Sequence, residues 1–340
     1  MFKIKVPAVY LLLSVIAALS ITCFAFRGFE KNKEASVQIN QDNLKKSDNC
    51  GHNVIRLDGF KYIRPIMGAE RECESIEKYS SLKSEISNFI DHEKNTGEIV
   101  SVSVYLEDCT NDDWMGINAD DMFLPGSLLK VPTMVTYLKM AEKDPGLLER
   151  EFTFNSKDFP KAPKQTFESK TIQSGHKYKV KELFYYMLAY SDNYATWLLN
   201  SRMDVEVYKK VYSQIGLPEP KEYASYALSA KQYSKLMKVL YDVGYLTISS
   251  SEYAMSLMSA CDFKEGLVKK LPPKVKVAHK FGEAGVAPLS ELHESAVVYL
   301  GDTPYLLTVM TKGKNVLRQA GVMSDISKMV YDHMVAINKH

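Results

Sequence analysis

The chain has no Cys-x-x-Cys and no His-x-x-x-His pairing, so the common spacings of zinc ligands are missing. No metal site and no organic cofactor is expected. Net charge is only +2 over 340 residues. No basic patch with interleaved aromatics occurs, which argues against a nucleic-acid partner. No internal repeat is present, which excludes solenoids and propellers. Cysteine is sparse: Cys23, Cys50, Cys73, Cys109 and Cys261. One of these falls in an apolar N-terminal run, and the other four allow either two disulfides or free thiols.

What is present is globular in kind. Hydrophobic residues make up 46% and charged residues 25%. The length permits one large domain or two smaller ones. At the N-terminus, Lys3 and Lys5 precede an uncharged run from Val6 to Phe26, closed by Arg27. That run is long enough to span a membrane. Cys23-Phe24-Ala25 is a weak cleavage site, so an uncleaved signal anchor over residues 1–26 is favoured over a removed leader. Charge does not orient it, because Arg27, Lys31 and Lys33 rival Lys3 and Lys5.

Residues 27–56 are polar and read as a flexible tether, and residues 57–73 as an N-terminal arm. A single domain is expected over 74–340. Ile76, Tyr79, Leu82, Ile86 and Ile90 give a helical period over 75–94. Ile99–Leu106 and Trp114–Asn118 read as paired strands. Pro125-Gly126 breaks the chain before an apolar helix over 127–141. Further helices are expected over 180–189, 194–202, 205–215, 229–243 and 251–258. Strands follow over 274–280, 293–299 and 305–311, and a helix over 320–338 closes the chain. Two strands, a helical insertion, three strands and a helix make an α+β layout.

Three clusters carry chemistry: Ser127-Leu-Leu-Lys130, Ser191-Asp192-Asn193 and Lys280-Phe281-Gly282. A serine with a lysine one helical turn later is an activated nucleophile. Alone each is weak. Ser-x-x-Lys recurs at Ser75–Lys78, Ser80–Lys83 and Ser174–Lys177, and Ser127 at a helix start is also a natural cap. Order and spacing together carry the inference. For Lys130 to accept a proton it must be partly neutral, which burial and a second cation, Lys280, would favour.

On these motifs the chain resembles the penicillin-recognising serine enzymes, nearest the class A β-lactamase-like branch, over about residues 75–340. The resemblance implies a β-lactamase/transpeptidase-like fold: a five-stranded antiparallel sheet flanked by helices, plus a helical lobe, with the site between. It implies Ser127, Lys130, Ser191 and Lys280 as catalytic residues. Ser127 would carry the acyl group and Ser191 would relay a proton to the leaving nitrogen. Asn193, Gly282, Glu283 and His293 are the expected substrate-binding residues. Among them, Asn193 would hold the substrate amide and the N–H groups of Ser127 and Glu283 the oxyanion. Asp192 is expected to order its loop.

Two departures from the family pattern stand out. Phe281 occupies a position where the family has Thr or Ser, whose hydroxyl helps to hold a substrate carboxylate. His293 on the next strand either compensates or is structural. There is also no Glu-x-x-Leu-Asn element between Asn193 and Lys280 to activate a deacylating water. Glu219 and Glu222 either stand in for it or are solvated loop charges. The expected partner is a β-lactam or a peptidoglycan stem peptide. Three readings follow: a β-lactamase-like hydrolase or D,D-peptidase, a membrane-tethered penicillin sensor without turnover, and a degenerate fold used only for binding. The first two require the domain to lie outside the membrane.

Overall fold

The computed structural model describes residues 55–68, 78–163, 165–167, 170–222, 225–286 and 288–338. The apolar run at 6–26, most of the tether, and Cys23, Cys50 and Cys73 lie outside them. Among the described residues no helix is long and apolar enough to cross a membrane.

Five strands form the central sheet: β1 (Ile99–Asp108), β2 (Trp114–Ile117), β3 (Lys276–Val286), β4 (Leu289–Tyr299) and β5 (Tyr305–Gly313). Their order is β2-β1-β5-β4-β3, with every neighbouring pair antiparallel. The sheet carries apolar residues on both faces and is covered on both. One face holds Val102, Val104, Leu292 and Val309 against α1 (Ser80–Asn95) and the C-terminal α8 (Val316–Ile337). The apolar stripe of α1, Leu82, Ile86 and Ile90, is buried there at the helical period.

The other face carries the helical lobe. Its members are α2 (Lys130–Ala141), α3 (Val180–Ala189), α4 (Asn193–Asn200), α5 (Val205–Ile215), α6 (Ala230–Tyr241) and α7 (Ile248–Met258). Every residue of α2 from Lys130 to Leu138 is buried. A helix apolar around most of its girth has to sit at the centre of its lobe. Asp192, Asp204, Ser229 and Asn315 start their helices by accepting from first-turn N–H groups.

Three expectations need adjustment. The tether does not run to residue 56: Ile55–Arg56 pairs with Ile66–Gly68, Ile63 is fully buried, and Arg56 bonds Asp112 and Asp242. The arm is therefore part of the domain's packing. Strands β3 and β4 are longer than their apolar runs. Lys280 to Gly282 consequently lies within β3 and not at its end. Finally, Ser127 does not open the α-helix. It sits in a 3₁₀ turn, Gly126–Leu129, which leads into α2.

Candidate active site

The 3₁₀ turn explains how Ser127 meets Lys130. Side chains three apart eclipse in that geometry, and Lys130 Nζ lies 2.9 Å from Ser127 Oγ. Neither the turn nor α2 has a side-chain cap, so Ser127 is not spent on capping. Glycine makes the turn's position possible. Gly126 has φ +53°, and a Cβ on it would collide with the Glu283 carbonyl. A Cβ on Gly282 would strike the Pro125 carbonyl and Leu128. Gly282 thus serves close packing of β3 on the turn, and it is buried beneath that turn instead of facing a substrate.

The second cluster is a compact helix-to-helix corner. Asp192 N–H reaches back to Tyr186 O across the end of α3, closing a helix-terminal cap through a left-handed residue. The residue inside such a cap is left-handed and usually glycine. Here it is Ser191, at φ +55°. A serine there costs on the order of 1 kcal/mol of backbone strain, retained where its hydroxyl is needed. Asp192 accepts from Tyr194 N, Ile172 N and Thr171 Oγ1, so it orders the loop as expected.

All four proposed catalytic side chains converge. Lys130 Nζ lies 3.1 Å from Ser191 Oγ, 2.5 Å from Ser191 O and 2.9 Å from Asn193 Oδ1. Lys280 Nζ lies 2.9 Å from Ser191 Oγ and 2.9 Å from Phe281 O. Ser191 Oγ therefore bridges the two lysines. Ser127 is 8%, Lys130 3%, Ser191 1% and Lys280 0% exposed. Burial, then the charge of Lys280, holds the Lys130 amine well below its ordinary range, against a smaller upward pull from Asp192. Burial also lowers Lys280, to about 8, but Cys261, Glu294 and Asp262 pull it back toward the charged form.

For a neutral Lys130, counting donors assigns its hydrogen bonds. A neutral amine has two N–H groups and one lone pair. Ser191 O and Asn193 Oδ1 accept only, so they take the two N–H groups. The lone pair is left for a hydroxyl, and the Ser127 O–H is within reach. The corner can thus deprotonate Ser127.

Glu283 lies beside the turn. Its carbonyl faces Gly126, and in an antiparallel strand a residue's N–H and C=O point to the same edge. Strand β3 is the sheet's edge, so the Glu283 N–H also faces the turn that carries Ser127. The Glu283 carboxylate accepts from Thr166 N at 2.8 and 3.1 Å.

His293 is not a substrate contact. It is fully buried on β4, opposite Gly282. Thr311 N–H donates to its Nδ1 at 3.2 Å, so its Nε2–H donates to Leu124 O at 3.0 Å. Glu291 accepts from Leu124 N at 2.7 Å. The two side chains clamp the backbone N–H and C=O of one residue, Leu124, in the segment that leads into Ser127. Phe281 is also sealed, with its ring stacked on Phe263 at 4.3 Å. Glu219 and Glu222 are exposed loop residues.

Sequence reading missed the groups behind Lys280. His279 Nδ1 lies 2.5 Å from Glu294 Oε1, and the Cys261 thiol hydrogen-bonds the same ring. All three are buried. Burial pushes the thiol up, but the charge and hydrogen bond of His279 pull it below its ordinary value. Burial lowers His279, yet Cys261 and then Glu294 raise it to about 10. Cys109 and Cys261 are both free thiols.

The model of the beta-lactamase enzyme family matches residues 81–334. The fold is similar to a β-lactamase from Chitinophaga pinensis, with a TM-score of 0.63 and 20% identity, covering 73% of this chain and 98% of that one. It is similar to a variant of PBP-A solved as an acyl-enzyme complex with penicillin G, with a TM-score of 0.62 and 20% identity, covering 77% and 97%. A class A β-lactamase from Mycobacterium abscessus gives 0.62 and 17% over 73% and 98%. No curated protein matches the sequence.

Proposed function

The chain belongs to the beta-lactamase enzyme family, and within it we propose a serine hydrolase that opens an amide of a β-lactam, or of a peptidoglycan D-Ala-D-Ala peptide, through an ester on Ser127. One observation carries the reading. The Lys130 amine is buried beside a second lysine, with acceptors for both its N–H groups and the Ser127 hydroxyl at 2.9 Å.

Ser127 Oγ attacks the amide carbonyl and its proton passes to Lys130. The oxyanion sits between the N–H groups of Ser127 and Glu283. Asn193, fixed through Oδ1, offers its amide nitrogen to the substrate. As the C–N bond breaks, Ser191 Oγ gives its proton to the leaving nitrogen and regains one from Lys130. Lys280 balances charge on Ser191 throughout. Water or an amine then attacks the ester, with Lys130 again as base.

The D,D-peptidase form of this reading, with slow release of β-lactams, has one observation in its favour. Glu219 and Glu222 are solvated, and no Glu-x-x-Leu-Asn element lies between Asn193 and Lys280. A β-lactam leaving group stays tethered and shields the ester, whereas a linear peptide's departs. A penicillin sensor is the limit of zero release. Substrates of this class lie outside the cytoplasmic membrane, so the reading includes an extracytoplasmic domain, held by or released from the Val6–Phe26 run.

Intact-mass measurement of the full chain with benzylpenicillin over time tests this. A penicilloyl adduct that accumulates and decays slowly is expected, and Ser127→Ala abolishes it. An adduct of equal mass and rate on Ser127→Ala refutes the assignment of the nucleophile. Rapid nitrocefin turnover without an adduct refutes slow release.

A further inference from the structure

The connection that joins the paired strands Glu151–Thr153 and Lys177–Lys179 makes an excursion past the site. On the helical-lobe wall, Ala162 N donates to Tyr194 Oη at 3.2 Å. The loop then reaches the sheet wall, where Thr166 N donates to both oxygens of the Glu283 carboxylate. Phe167 sets its ring edge-on to Phe281 at 6.4 Å and to Phe263 at 4.9 Å. It then returns to the helical lobe, where Thr171 and Ile172 bond Asp192. Ser127, Ser191 and Lys280 lie between these two walls. The described residues of this segment are thus anchored to both walls beside the catalytic corner.

The latch on the sheet wall is a carboxylate holding a backbone N–H. When a substrate displaces the loop, Glu283 loses its donor at the mouth of the site. A displaced hydrogen bond to a charged group has to be replaced, or its loss weakens binding. A substrate N–H or ammonium replaces it. A substrate carboxylate brings a like charge instead. Phe281 supplies no hydroxyl to offset that, since its ring is sealed between Phe263 and Phe167.

We propose that Glu283 is a specificity-determining residue that selects substrates presenting an N–H donor, such as a carboxamide or an amine, and disfavours a free carboxylate at that end. This rests on the acyl-enzyme reading above and names the substrate class within it.

The test compares two acylating agents that differ at one group: benzylpenicillin and its carboxamide. Acylation of Ser127 in the full chain is followed by intact mass, for the natural protein, Glu283→Gln and Glu283→Lys. A hydrogen bond to a charged group corresponds to a preference of about ten- to a hundred-fold. The carboxamide is therefore expected to react faster by that factor in the natural protein. The ratio falls toward one in Glu283→Gln and inverts in Glu283→Lys. A carboxylate preferred by the natural protein, or one ratio shared by all three proteins, overturns this inference while the acyl-enzyme reading stands. No adduct from either agent overturns both.

Discussion

At the scale of single residues, two buried lysines lie only a hydroxyl apart, and the proposed acylation requires them in opposite charge states. Burial lowers both, and the difference comes from what lies behind each. Lys130 faces Lys280, while Lys280 has Cys261, Glu294 and Asp262 at its back. The base must be neutral and its neighbour cationic. Acylation should therefore rise with pH as Lys130 loses its proton, then fall above about pH 8 as Lys280 loses its own. Arginine stays charged across that range, so Lys280→Arg should shift the falling limb upward, even if its peak rate is lower. An alkaline limb at the same pH in both proteins would remove Lys280 from the profile. Ser127, Lys130, Ser191, Asn193 and Lys280 were legible because motif order survives in sequence. Cys261, His279 and Glu294 were not legible as a group. Only the pairing that sets Phe281 opposite Glu294, and the loop after α7, bring them together. His293 stayed open between a substrate-binding and a structural reading because its neighbours, Leu124 and Thr311, are likewise remote in sequence.

At the scale of elements, β4 holds the segment that leads into Ser127. Its His293 and Glu291 hold the backbone C=O and N–H of Leu124, three residues before Ser127. Removing the imidazole leaves the buried Thr311 N–H and the part-buried Leu124 carbonyl without their partner. Each orphaned group costs on the order of 1–3 kcal/mol. His293→Ala should lower stability by about 2–4 kcal/mol by that reckoning, measured by urea titration. If the clamp also aims Ser127, acylation at a temperature where the variant is folded should slow, with the pH profile unchanged in shape. An unchanged acylation rate would confine His293 to stability. Helix positions were readable because 3.6-residue stripes such as Leu82, Ile86 and Ile90 are periodic; α3 and α5 fall where expected. The second half of β3 was hidden by Gly282, Glu283 and Gly285, which break the alternation that marks a strand. The short pairs at Met122–Phe123/Leu228–Ser229 and Glu151–Thr153/Lys177–Lys179 are too brief to carry any period.

At the scale of the whole molecule, one sheet separates two apolar cores, and the N-terminal arm fastens onto the lobe-side core. Ile63 is buried within it. Arg56 reaches Asp112 in the loop between β1 and β2, and Asp242 at the end of α6. Lys238 joins the same carboxylates and also bonds Glu107 of β1. The arm thus links the sheet to the helix that lies across it, through an ion cluster largely shut off from water. Taking one cation from a buried cluster leaves carboxylates desolvated without their counter-charge, which costs more than the pair contributes when intact. Lys238 remains as a partial substitute, so Arg56→Ala should destabilise by about 3 kcal/mol, the lower end for a broken buried pair. Arg56→Lys keeps the charge but not the fork that spans two carboxylates, and should recover only part of that loss. Both are measured by urea titration of the full chain. The catalytic corner does not touch this cluster, so the penicilloyl rate of the folded variants should match the natural protein. A loss below about 1 kcal/mol in Arg56→Ala would mean that residues 55–68 lie on the domain without holding it together, and that the polar segment before them extends in function to the start of α1.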